Sequence, residues 1–158
     1  MKRLLVDAST LIALASCGRL SLLRDIAKTV TTTAAVASEV LVDRPGAAAV
    51  RAAIDSGWIK VIGADGDVAG LGRGEAGLIV SAKAGDVVVL DDRAARLEAK
   101  SRGVAIIGLL GLIVHGARTG KVKRSDARRA IDDLAKTNFR MSADLYRWAV
   151  ESMDGSAE

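Results

Sequence analysis

Aromatic residues make up only 3% of the 158 residues, and Cys, His and Pro occur once, once and once. Each scarcity excludes something. A lone Cys17 rules out a disulfide framework and a thiolate metal cluster. A lone His115 leaves no nitrogen-rich ligand set of the kind zinc takes. With so few rings the core must be built from Val, Leu, Ile and Ala, which with Met, Cys and the aromatics make up 50% of the chain. One Pro, at position 45, beside 16 Gly argues for helices and short strands with tight connections and against a long-looped β fold. Long apolar runs are missing too. The run from Val104 to Val114 is broken by glycines, well short of the ~20 residues that span a bilayer. Met1 to Val6 meets an Asp after three apolar residues, too few for the core of a secretion signal. A cytoplasmic protein without a membrane segment is therefore expected. The net charge of +4 favours an anionic partner, for which nucleic acid is the commonest choice; an ordinary basic surface accounts for it equally well.

The chain alternates short apolar runs with helical patterns. Strands are expected at Leu4–Val6, Thr29–Thr32, Trp58–Ile62, Val87–Leu90 and Val104–Ile107. Helices are expected from Ser9 or Thr10, either of which can cap the first one, and then at Leu20–Ile26, Ala34–Val42, Ala47–Asp55, Glu75–Ala84, Ala94–Ser101, Gly108–Thr119, Ser125–Lys136 and Ser142–Met153. In the last, Leu145, Trp148 and Ala149 share one face. Gly63 to Gly74 reads as a loop. Runs such as Leu4-Leu5-Val6 suit strands buried on both faces, and strands alternating with helices imply crossover units around a mainly parallel sheet. The predicted architecture is α/β, one domain over residues 1–153, with 154–158 a frayed tail.

The acids fall where such a sheet binds ligands, beyond the carboxyl ends of its strands. Asp7 ends the first strand, interrupting an apolar run. Asp91 and Asp92 end a later one. Glu39 lies in the helix after the second strand, and Glu75 in the first turn of the helix after the glycine-rich loop. Helix-dipole stabilisation alone accounts for Glu75 and Asp92 as well as a site does, and Glu39 alone reads as solvent-facing; the set carries more weight than its members. Carboxylates gathered together raise one another's pKa unless a cation sits among them. An all-oxygen set suits Mg²⁺ or Mn²⁺, and such a cation activates water and stabilises a leaving oxygen in phosphodiester hydrolysis.

Four motifs, Val6-Asp7-Ala8-Ser9-Thr10-Leu11-Ile12, Ala37-Ser38-Glu39-Val40, Gly74-Glu75-Ala76 and Leu90-Asp91-Asp92-Arg93-Ala94-Ala95-Arg96, together resemble the PIN domain family, and most of all its small prokaryotic branch with VapC-type toxins. The resemblance implies a three-layer α/β/α sandwich, metal-dependent ribonuclease activity, an antitoxin partner and a homodimer, with Leu11, Ile12, Leu14 and the last helix as candidate contacts. Asp7, Glu39 and Asp92 match family acids, Ser9 matches the hydroxyl that orients the first Asp, and Glu75 stands where the toxins usually have Asp. Asp7, Asp92, Asp91 and Glu75 are the implied metal ligands; register favours Asp92 as the direct one, with Asp91 behind it. A non-catalytic PIN-like module that binds RNA or a protein partner is the other function the sequence allows.

Arg93 and Arg96 can clamp a phosphate or neutralise the acids. Arg118, Lys121, Lys123, Arg124, Arg128 and Arg129 can track an RNA backbone or be a solvated helix start. Gly72 to Gly77 fits G-x-G-x-x-G without the preceding strand a dinucleotide site needs. Trp58, Trp148, Tyr146 and Phe139 are expected away from the acids, so backbone charge and not stacking should dominate RNA binding.

Overall fold

The computed structural model describes residues 1–63 and 66–155. Its strands are β1 (Arg3–Val6), β2 (Thr29–Thr33), β3 (Ile59–Ile62), β4 (Asp86–Val89) and β5 (Ile106–Ile107). All pair in parallel, in the order β3-β2-β1-β4-β5. The helices are α1 (Ala8–Ser16), α2 (Leu22–Ile26), α3 (Ala34–Val40), α4 (Ala47–Asp55), α5 (Arg73–Ser81), α6 (Arg93–Ser101), α7 (Leu109–Arg118), α8 (Arg124–Ala135) and α9 (Ala143–Asp154). They cover both faces of the sheet, giving the α/β/α sandwich.

Burial explains why the central strands do not alternate. Leu4, Leu5 and Val6 in β1, and Val88 and Val89 in β4, are fully enclosed, each worth about 1.5–3 kcal/mol against exposure. Thr31, Thr32 and Thr33 of β2 are enclosed as well, and buried hydroxyls need partners. Thr32 Oγ1 donates to the Val6 carbonyl at 2.8 Å, and Thr33 Oγ1 accepts the Val36 N–H that opens α3. β1 and β4 start on a register pair, Arg3 beside Asp86, whose side chains form an ion pair. The pair holds the Asp86 carboxyl below its ordinary range.

Several expectations need correction. Asp7, not Ser9 or Thr10, caps α1: its carboxylate accepts the Thr10 N–H at 3.0 Å. β5 is two residues long because the Val104 N–H closes α6 by donating to the Ala99 carbonyl. α3 stops at Val40, and α5 starts two residues before Glu75. Leu11 and Leu14 lie inside the core and cannot be dimer contacts. On α9, Ala149 and Met153 face the core, whereas Leu145 and Trp148 are 38% and 46% exposed. Of the tail expected at 154–158, Asp154 instead belongs to this helix, and 156–158 lie outside the described residues.

Candidate active site

In the strand order, β2 and β3 lie on one side of β1 and β4 and β5 on the other. The chain reverses direction between β1 and β4, and the crevice beyond their carboxyl ends is where such sheets hold ligands. Asp7 follows β1 directly, and Asp91 and Asp92 follow β4 after Leu90.

Each of these three Asp residues sits at a helix start. The buried carboxyl of Asp7 receives the Thr10 N–H on Oδ1 and the Ser9 hydroxyl on Oδ2 at 3.1 Å. The Thr10 hydroxyl beside it also favours the ionised form, though its geometry falls short of a formed hydrogen bond, and Thr10 Oγ1 is buried without a hydrogen-bond partner. Asp92 caps α6, accepting the Ala95 N–H at 2.9 Å. Asp91 reaches across to α7 and accepts the Leu109 N–H at 3.3 Å. Gly108 makes this approach possible: a Cβ there would stand 2.8 Å from Asp91 Oδ1.

Glu39 and Glu75 arrive from α3 and α5. These helices pack closely at Gly74, where a Cβ would stand 2.9 Å from Val36 Cγ2 and 3.6 Å from Glu39 Oε2. A cleft of about 510 Å³ opens between α1, α3 and α5, lined by Asp7, Ser9, Glu39, Arg73 and Glu75 among others.

The electrostatics tie the acids into one set. Burial pushes the Asp7 carboxyl above its ordinary value, against the Thr10 and Ser9 donors and the Asp91 main-chain N–H. Glu75 is raised by burial first, then by the charges of Asp92, Asp7 and Glu39. Asp91 keeps surface open to solvent, but crowding by its surroundings still raises its carboxyl, helped by the charge of Asp7 and opposed by the Leu109 N–H and Arg96. All five acids thus border one region, Asp91 against Asp7 and Asp92 against Glu75.

Among the described residues, no group of three or more His, Cys, Asp or Glu side chains is gathered closely enough to hold a metal ion. The donor set nevertheless has the chemistry of a hard-cation site: oxygen ligands only, a buried acid and a second acid raised by three neighbours.

Two features escaped sequence reasoning. Arg73 lines the acidic cleft; its signal was its place between the two glycines that open α5. Trp148, expected away from the acids, lines a second cleft together with Asp91 and Arg96. Arg96 donates to the Leu90 carbonyl at 2.7 Å, which fixes it beside Asp91. Arg93 opens α6, is exposed, and is not among the residues lining either cleft.

No helix among the described residues is long and apolar enough to cross a membrane. Comparison with curated proteins and with solved structures gave no match. The family model DUF3368, a PIN domain, matches residues 3–154, a span that takes in the whole sheet and every acid described above. PIN domains are typically nucleases, and those nucleases generally use divalent metals. With nearly its full length matched and a parallel α/β/α sheet underneath, this chain belongs to the PIN-domain family.

Proposed function

We propose that the protein is an endoribonuclease dependent on Mg²⁺ or Mn²⁺, of the VapC-type branch, whose activity in the cell is held in check by an antitoxin. The observation that carries this reading is the convergence of Asp7, Glu39 and Glu75 on one cleft, where Glu75 also feels the charge of Asp92. Three acids in one cleft with a single cationic side chain, Arg73, are an arrangement that folding alone does not favour.

Asp7, Asp92, Asp91 and Glu75 would hold the ion. Bound there, it supplies Lewis acidity towards a phosphoryl oxygen and makes water a better nucleophile at neutral pH. The chain's own residues do the rest. Ser9 and the Thr10 N–H fix the Asp7 carboxylate so that its oxygens keep one orientation. Glu39, which lines the same cleft and is not among the ion's ligands, is placed to accept the proton that the attacking water loses. Arg73 and Arg96 lie close enough to the acids to meet the non-bridging oxygens of the phosphodiester. Water adds to phosphorus, one P–O bond to ribose breaks, and the leaving oxygen takes up a proton.

The opposing reading, a PIN-like module that binds without cleaving, has one observation in its favour: the acids are not drawn together into a ready ligand set. Cleavage of single-stranded and duplex RNA with Mn²⁺, Mg²⁺ or EDTA separates the two. Cutting of the single strand that needs the cation, weakens with salt and disappears in Asp7→Asn supports the nuclease. RNA binding without cutting under any cation supports the module.

A further inference from the structure

The second cleft, of about 820 Å³, runs along one face of α7. Its lining steps down the helix through Gly108, Gly111, His115 and Arg118, spacings of three and four that keep to one side. A ten-residue helix is about 15 Å long at 1.5 Å per residue, roughly four nucleotides at a stacked rise of about 3.4 Å. One end holds Asp91 and Arg96, beside the acids. The other opens at Arg118, where the chain continues into the exposed Lys121, Lys123 and Arg124. The opposite wall is α9, with Leu145 and Trp148 one turn apart.

The occupant follows from the charge and from the tryptophan. Arg96 and Arg118 stand against the single acid Asp91 in this lining, so the cleft complements an anion. An amphipathic protein helix would use the apolar lining and leave Arg96 and Arg118 without anionic partners. An unpaired nucleic-acid strand carries both flat apolar bases and phosphates, and the cleft offers both an apolar lining of Ile106, Ile107, Leu110 and Val114 and the cations Arg96 and Arg118. Its one aromatic ring is 46% exposed, open on a face where a base can lie.

Resting on the ribonuclease reading, we propose that this cleft holds the unpaired RNA strand on one side of the scissile bond, with a base stacked on Trp148 and phosphates at Arg96 and Arg118. This reverses the expectation that stacking is a minor term. Trp148 is then a substrate-positioning residue, and the cleft gives the enzyme a reason to prefer single strands: a base in a duplex is not free to reach the ring.

The chain has two tryptophans, so Trp58→Phe leaves Trp148 as sole reporter. Trp58 lies beside Arg24, outside both clefts. In this background, with EDTA to prevent cleavage, fluorescence is titrated with a single-stranded RNA, an abasic strand of equal length and a duplex, while anisotropy of the labelled strand reports binding. The expected result is saturable quenching by the RNA, and binding of the abasic strand without it. Trp148→Ala should weaken RNA binding about tenfold, Trp148→Phe should restore most of that, and Arg118→Gln should lower the slope of log affinity against log salt by about one. RNA that binds fully while Trp148 emission stays unchanged overturns the proposal. So does a Trp148 shift that follows protein concentration alone, which would put a second copy in the cleft. Quenching without cleavage under Mn²⁺ keeps the cleft assignment and removes the nuclease reading; cleavage with Trp148 unaffected does the reverse.

Discussion

Replacing Asp7 by Asn should leave the fold as stable as the wild type in acid and make it more stable at neutral pH. Two effects decide this. The first is the cap. Asp7 Oδ1 receives the Thr10 N–H and Oδ2 the Ser9 hydroxyl. Asn keeps an acceptor for the first and offers an amide N–H to the second, and the two residues cap about equally well. The second effect is the charge. Burial raises the folded-state pKa of Asp7 above its ordinary 3.8, so the folded state holds its proton more tightly than the unfolded chain. Below 3.8 both states are protonated and the acid costs nothing. As pH rises from there through the folded-state value, the wild type loses stability, and above it the loss stays constant. A tenfold difference in proton affinity corresponds to about 1.4 kcal/mol, and for a domain of this size 1 kcal/mol moves Tm by about 2–4 °C. The neutral Asn also removes one of the charges that raise Glu75 and Asp91. Melts of both proteins by circular dichroism, in EDTA from acid to neutral pH, should show a Tm difference that opens with pH and levels off. Asp7→Ala, which loses the cap, should fall below Asp7→Asn by about 0.5–2 kcal/mol at every pH. Adding Mn²⁺ should raise Tm of the wild type and not of Asp7→Asn. An Asp7→Asn protein that melts several degrees below the wild type at neutral pH, with no pH dependence in the difference, would refute the reasoning and make Asp7 a structural ion.

Asp86 should behave with the opposite sign: its carboxyl is held low by Arg3, so its contribution is present above its ordinary value and is lost as pH falls, and Asp86→Asn should cost about 1–3 kcal/mol in denaturant titrations at neutral pH. Gly74→Ala drives a methyl into Val36 and should cost about 1–3 kcal/mol in the same titrations while reducing cleavage, since it parts Glu75 from Glu39. Gly108→Ala and Asp91→Ala should each lower Tm by prising Asp91 from α7, and the double variant should be little worse than either, because both remove one contact. Light scattering at micromolar concentration should give a dimer mass; with Leu11 and Leu14 enclosed, Leu97 is the most exposed of the large apolar side chains among the described residues, and Leu97→Glu should return the mass to a monomer.

Much of the sheet was legible because buried parallel strands have few ways to be written. Leu4-Leu5-Val6 and Val87 to Leu90 have no other comfortable home, and helix α4 was read to the residue. That Asp7 and Asp91 can meet at one edge followed from their places at strand ends; that β1 and β4 are neighbours came from the structure. What was lost turns on competition between neighbours. Asp7, Ser9 and Thr10 can all cap a helix, and only packed coordinates show that Asp7 does. Val104 has a strand-forming side chain, but its N–H is taken by the end of α6. Trp148 lies 57 positions from Asp91 in the chain and shares a cleft with it only because α9 packs on α7, a proximity that no local pattern records.

Asp91 lines the second cleft and feels the charge of Asp7, which lines the first. Its Oδ2 accepts the N–H that opens α7, and its charge falls on Asp7. A carboxylate drawn towards the Asp7 side lets go of that N–H, and the first turn of α7 must then find water or unwind. The same helix is the floor on which the second cleft is built. Neutralising the acids on one side is therefore felt as a loosening on the other, through a single side chain and with the sheet at rest. Gly108, by lacking a side chain, leaves the space through which Asp91 joins the two sides.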